Sequence, residues 1–81
     1  METTDYKLFR RNLLLFRAIA GLSGRALSET LKMKAPNRIH DIEEGRTPPK
    51  LDEVCTICKH FGHKMDDMLY KKAEVIIKFR E

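Results

Sequence analysis

An 81-residue chain with 42% hydrophobic and 35% charged residues can fold as one domain around a modest core, which excludes intrinsic disorder and makes a partner subunit plausible. Sixteen Lys and Arg against twelve Asp and Glu give a formal charge of +4, which favours a polyanionic partner. The longest apolar runs, 13–16 and 75–77, fall far short of the roughly 18 residues that a membrane span requires, so no spanning segment is expected.

Residues 1–5 are acidic and polar, the opposite of a secretory signal, so a cytoplasmic location with Cys55 and Cys58 reduced is expected. The remainder divides into five short helical segments separated by brief turns, without internal repeats or a long linker. Over 5–20, Phe9, Leu13, Phe16 and Ala20 recur at the spacing of one buried helical face, and Gly21 stops the helix. Ser23 is placed to cap a second helix over 24–32, whose Ala26, Leu27 and Leu31 keep the same period. After a turn over 32–35, Pro36 stands where a first helical residue tolerates proline, because that amide has no intrahelical partner.

The spacing predicts a third helix over 35–44, with Ile39 and Ile42 inward and Gly45 at its end. Arg46-Thr47-Pro48-Pro49 is a turn. A fourth helix is predicted over 51–61, with Leu51, Val54, Cys55, Ile57, Cys58 and Phe61 as a broad apolar face closed by Gly62. A fifth begins near Met65 and buries Met65, Met68 and Leu69. The stretch 73–79 is ambiguous. Val75-Ile76-Ile77 favours a strand by propensity, whereas Met68, Leu69, Ala73, Ile76 and Phe79 fit a continued helix.

Several pieces in this order carry a resemblance. Phe16-Arg17 and Gly21-Leu22-Ser23 lead into the second helix, which holds Leu27 and Leu31. Ile39-His40-Asp41-Ile42-Glu43-Glu44-Gly45 run through the third, and Pro49-Lys50-Leu51 lead into the fourth. Ile57-Cys58-Lys59-His60-Phe61-Gly62 and Met65-Asp66-Asp67-Met68-Leu69 close the pattern. In this order and spacing, nearly the whole chain resembles the phage repressor and Cro-like (XRE-type) helix-turn-helix family.

The resemblance implies an all-α, five-helix, lambda-repressor-like DNA-binding domain, with 9–70 as the core fold and 71–81 as a C-terminal extension serving dimerisation. It implies double-stranded DNA as the partner and a prokaryotic or phage-encoded transcriptional regulator, acting as a homodimer on half-sites about one helical turn apart. It also implies a structural ion pair between Arg17, late in the first helix, and Glu43, shortly before the glycine that ends the third. Two departures stand out. From Leu31 to Ile39 the chain has one residue more than the family spacing and lacks the glycine often found there. Gly24 stands where the family tends to place a DNA-touching glutamine, so that contact does not carry over.

With Ile39 and Ile42 inside, the other positions of the third helix face outward or sideways. Asn37 suits the adenine edge, Arg38 a guanine or a phosphate, Asp41 the cytosine amino group, and His40 a base or the backbone. These four are the expected base readers. Asp41 weakens attraction to DNA, and Arg25, Lys32, Lys34, Arg46 and Lys50 on the bordering turns and helix starts are expected to offset it; Ser23, Arg25, Lys34, Arg46 and Lys50 form the expected backbone set. Val75, Ile76, Ile77 and Phe79 offer more apolar surface than a short core needs and are expected at the dimer interface, with folding back onto the first helix as the alternative.

Cys55, Cys58, His60 and His63 include the ligand types of a zinc site. Cys55 and Cys58 share a helix face that His60 leaves, however, and tetrahedral sites normally need a loop or second element between ligand pairs. A redox Cys-x-x-Cys centre needs a thiolate at a helix N-terminus, commonly after a strand, and none precedes this one. No metal and no cofactor are expected. There is no glycine-rich phosphate loop or nucleophile motif, and Asp66 with Asp67 reads as the polar start of a helix, so no enzyme is expected. The alternatives are an antitoxin or restriction-modification controller of the same fold, or a protein-interaction module that lost DNA binding, the last motivated by Asp41, Glu43 and Glu44 crowding one helix.

Overall fold

The computed structural model describes residues 6–72. Five helices follow in chain order: α1 (Lys7–Ile19), α2 (Gly24–Thr30), α3 (Arg38–Glu43), α4 (Leu51–Phe61) and α5 (Met65–Tyr70). The class and the element order are those expected from the sequence. Val75, Ile76, Ile77 and Phe79, the expected dimer contacts, lie outside the described residues.

α1 forms because apolar residues return on one face, and Phe9, Leu13 and Phe16 are buried there. It packs on α5 and α3, while α2 packs on α3 and α4 on α5. Leu27, Ile39, Ile42, Val54, Ile57, Cys58 and Met68 complete the core. The Phe16 ring lies 5.9 Å from that of Phe61 and 4.4 Å from that of His63, tying α1 to the end of α4. α3 has only six residues, well below the ~12 at which an isolated helix becomes marginal in water. Packing holds it instead, since Ile39 and Ile42 are both 0% exposed.

One polar residue sits on the buried face of α1. Asn12 donates from Nδ2 to the carbonyls of Met68, at 2.9 Å, and Lys71, at 2.6 Å. These belong to the end of α5, where carbonyls have no helical partner. Asn12 thus acts as a remote C-terminal cap, and it ties α1 to α5.

α3 ends at Gly45 with φ 77°, and the Arg46 amide bonds back to the Asp41 carbonyl at 3.0 Å. α2 ends in the same way, with the Met33 amide bonded to the Ser28 carbonyl at 2.9 Å. There the left-handed position is held by Lys32, at φ 56°, where a non-glycine residue costs about 1–2 kcal/mol. The turn without a glycine keeps its geometry by accepting this strain.

Four local features differ from the sequence expectation. The third helix, expected over 35–44, begins at Arg38. Ala35 precedes a proline and is disfavoured in the α region, so Pro36 lies in a turn closed by the Arg38 amide on the Ala35 carbonyl at 3.2 Å. α2, expected to reach 32, stops at Thr30 because Lys32 turns left-handed. Ala20 is exposed, being already the C-cap of α1. Leu51 is 72% exposed, and the buried face of α4 narrows to Val54, Ile57 and Cys58.

Candidate nucleic-acid interface

α2, the turn after it and α3 form a unit in which one bond caps α2 and two contacts fix the angle between the helices. Ser23 caps α2 by accepting from the Ala26 amide at 3.0 Å. Leu27 and Ile39 share the core between the two helices. Ser28, 1% exposed, accepts the Ile39 amide on its Oγ at 3.2 Å. That amide lies in the first turn of α3 and lacks an intrahelical acceptor, so α2 caps α3 from the side. At the outer end, a Cβ on Gly24 would lie 3.8 Å from the His40 Cβ. The start of α2, with Ser23 and Arg25, therefore lies beside the exposed edge of α3.

The far end of α3 is anchored to α1. Arg17 donates from Nε and Nη2 to the two Glu43 carboxylate oxygens at 2.7 and 2.9 Å, and from Nη1 to the Leu22 carbonyl at 2.9 Å. The hydrogen bond to Glu43 raises the Arg17 pKa against the opposing effect of burial. Glu43 is nearly buried, with a side-chain exposure of 5%, so this carboxylate serves architecture and is turned away from solvent.

Arg38 opens α3, yet its guanidinium reaches across to α4. It pairs with Glu53 through Nε and Nη2, at 2.8 and 2.7 Å, and also meets Thr47 and Pro48. The Arg38 hydrogen bond holds the Glu53 carboxyl below the usual carboxylate range, against burial and with help from the Lys50 amide.

The outer edge of α3 carries Asn37, His40, Asp41 and Glu44. Asn37 is exposed and has no side-chain capping bond to α3. His40 Nε2 lies 2.8 Å from Glu44, and Arg46 lies 2.8 Å from Glu44 and 3.5 Å from Asp41. Arg25 is paired loosely with Glu29 at 3.6 Å. Between the turn after α2 and the turn before α4 runs an open groove of about 480 Å³, with Lys34 on one wall and Lys50 on the other. The expected readers other than Arg38 thus share one edge, and exposed cations lie on the turns either side of it.

Ser28, Glu53 and Thr47 were not singled out by the sequence reading. Glu53 had the best available signal, three residues after Lys50, the residue that precedes α4, where a glutamate can reach back to that residue's amide; its Oε1 accepts the Lys50 amide at 2.8 Å. Ser28 had none, because its acceptor role depends on Ile39 arriving beside it.

The cysteines belong to the core side of α4. Cys58 is buried, and burial, with Cys55 adding to it, pushes its thiol up to about 11. Cys55 rests its Sγ 3.4 Å from the Met65 sulfur. Among the described residues, no three His, Cys, Asp or Glu side chains converge as a metal site, and no helix is long and apolar enough to cross a membrane.

No family model matches this chain, and no curated protein matches it. Among solved structures it is similar to the clp gene regulator ClgR from C. glutamicum, at 24% identity and a TM-score of 0.70, over 93% of this chain and 96% of that one. At this identity the likeness establishes architecture: the described residues form an all-α, five-helix domain with a helix-turn-helix at its centre, a fold shared with that regulator.

Proposed function

We propose that this protein is a sequence-specific, double-stranded-DNA-binding transcriptional regulator that places α3 and the turn before it in the major groove. One observation carries the reading: the hydrogen-bonding edge formed by Asn37, His40 and Asp41 stands on a helix capped from the side and flanked by Lys34, Arg46 and Lys50. That combination is what groove readout requires, base-directed groups on a rigid support and cations where phosphates run. Asn37, His40 and Asp41 read bases; Ser23, Arg25, Lys34, Arg46 and Lys50 contact the backbone. Binding exchanges the Asp41 and Glu44 partners of Arg46 for a phosphate. The likeness to a gene regulator supports this reading.

Residues 9–70 form the DNA-binding unit and 71–81 the dimerisation extension of a cytoplasmic homodimer. Selection of bound duplexes from a random pool tests specificity and symmetry together. The expected product is a two-fold symmetric site with half-sites about ten base pairs apart. Asn37→Ala and Asp41→Ala should alter the preferred base more than the general affinity. Equal loss on selected and unrelated duplexes would remove them from base reading. The carboxylates that engage Arg46 and His40 favour a protein-interaction module as the second reading, and a pool from which nothing is enriched would support it.

A further inference from the structure

Arg38 uses four of the five N–H donors of its guanidinium inside the chain. Two go to Glu53, one to the Pro48 carbonyl at 3.0 Å, and one to the Thr47 hydroxyl. Glu53 in turn accepts the Lys50 amide that opens α4. Both side chains are mostly buried, at 16% and 17% exposure. The first residue of α3, the turn over 46–50 and the first turn of α4 therefore meet at one two-point pair. Arg46 and Lys50 ride on that turn.

We propose that Arg38 is a positioning residue for DNA binding: with Glu53 it fixes the 46–50 turn against α3, so that Arg46 and Lys50 meet phosphates in register with the bases that α3 reads. Its consequence for affinity rests on the DNA-binding reading; its effect on the turn does not. A loose turn would have to be ordered at each binding event, and the clamp removes that entropic cost. Reaching a base would oblige Arg38 to abandon a mostly buried carboxylate, which is strongly unfavourable. Lysine cannot reproduce the fork that spans both carboxylate oxygens while also holding the turn.

The test compares the full chain with Arg38→Lys and Glu53→Ala. Residue-resolved amide exchange in the free protein should speed up at Arg46 and Lys50 in Arg38→Lys on the order of tenfold, the equivalent of one lost charge-assisted hydrogen bond. Core amides of α1 should keep their protection. In a salt series with a mixed-sequence duplex as the probe, both variants should bind several-fold more weakly and with a shallower salt dependence. Glu53→Ala separates the two roles of Arg38, because it removes a negative charge and frees the guanidinium. Compared with Asp52→Ala, which removes an exposed acid from the same turn of α4 and leaves the clamp intact, a base-reading Arg38 would then bind more tightly, and a positioning one more weakly. Tighter binding by Glu53→Ala than by Asp52→Ala, or unchanged exchange at Arg46 and Lys50 in Arg38→Lys, overturns the inference. If the unaltered chain ignores the duplex, the DNA-binding reading fails, and the exchange measurement still decides the clamp.

Discussion

Lys32 occupies a left-handed position in the turn between α2 and α3, with φ 56°. Lys32→Gly should raise stability by about 0.5–1 kcal/mol, after allowing for the entropy that glycine adds to the unfolded chain. Urea denaturation checks this; an unchanged or lower midpoint would show that the lysine side chain makes a contact that offsets its strain. Ser28 predicts the opposite sign. Ser28→Ala leaves the buried Ile39 amide without its acceptor and should cost about 1–3 kcal/mol. A loss within the error of the urea midpoint would mean that water replaces the hydroxyl. Neither residue's role was legible in the sequence. Ser28 looks like any polar residue beside an apolar stripe, and its partner comes from a different helix. The missing glycine at Lys32 was visible, but not that a lysine would take its conformation.

At the scale of elements, α1 and α4 were legible because apolar period and glycine stops agree in them. The start of α3 was not, since Pro36 is equally compatible with a first helical turn and with the loop it occupies. That ambiguity shaped the reading of Arg38, which spacing alone assigns to the outer edge and the structure turns toward Glu53. The clamp also sets a pH dependence. Arg38 holds the Glu53 carboxyl below its ordinary range, so the folded value is below the unfolded one. The stabilisation is then fully present above the ordinary glutamate range and is lost as pH falls through that range toward the folded value. Thermal unfolding should show a midpoint that drops on acidification, with a shallower drop in Glu53→Gln. Identical slopes in the two proteins would assign the acid sensitivity to other carboxylates.

For the described residues as a whole, the class, the helix count and most of the core were readable in the sequence, because a short helical domain must bury its periodic faces together. The relation between the two halves of the candidate interface was less so. It depends on long-range contacts, of which Arg17 with Glu43 was expected from the resemblance and Arg38 with Glu53 was not. A net charge of +4 favours attraction to a polyanion, but the acids along α3 mean that, on the proposed reading, affinity for DNA comes from the cations beside it.

The most direct measurement is the affinity of the full chain for a DNA duplex as a function of salt concentration. If Arg25, Lys34, Arg46 and Lys50 each meet a phosphate, the logarithm of affinity should fall against the logarithm of salt with a slope of about −3 to −4 per protomer. Failure to bind any duplex at low salt, or binding that does not weaken as salt rises, would contradict the account.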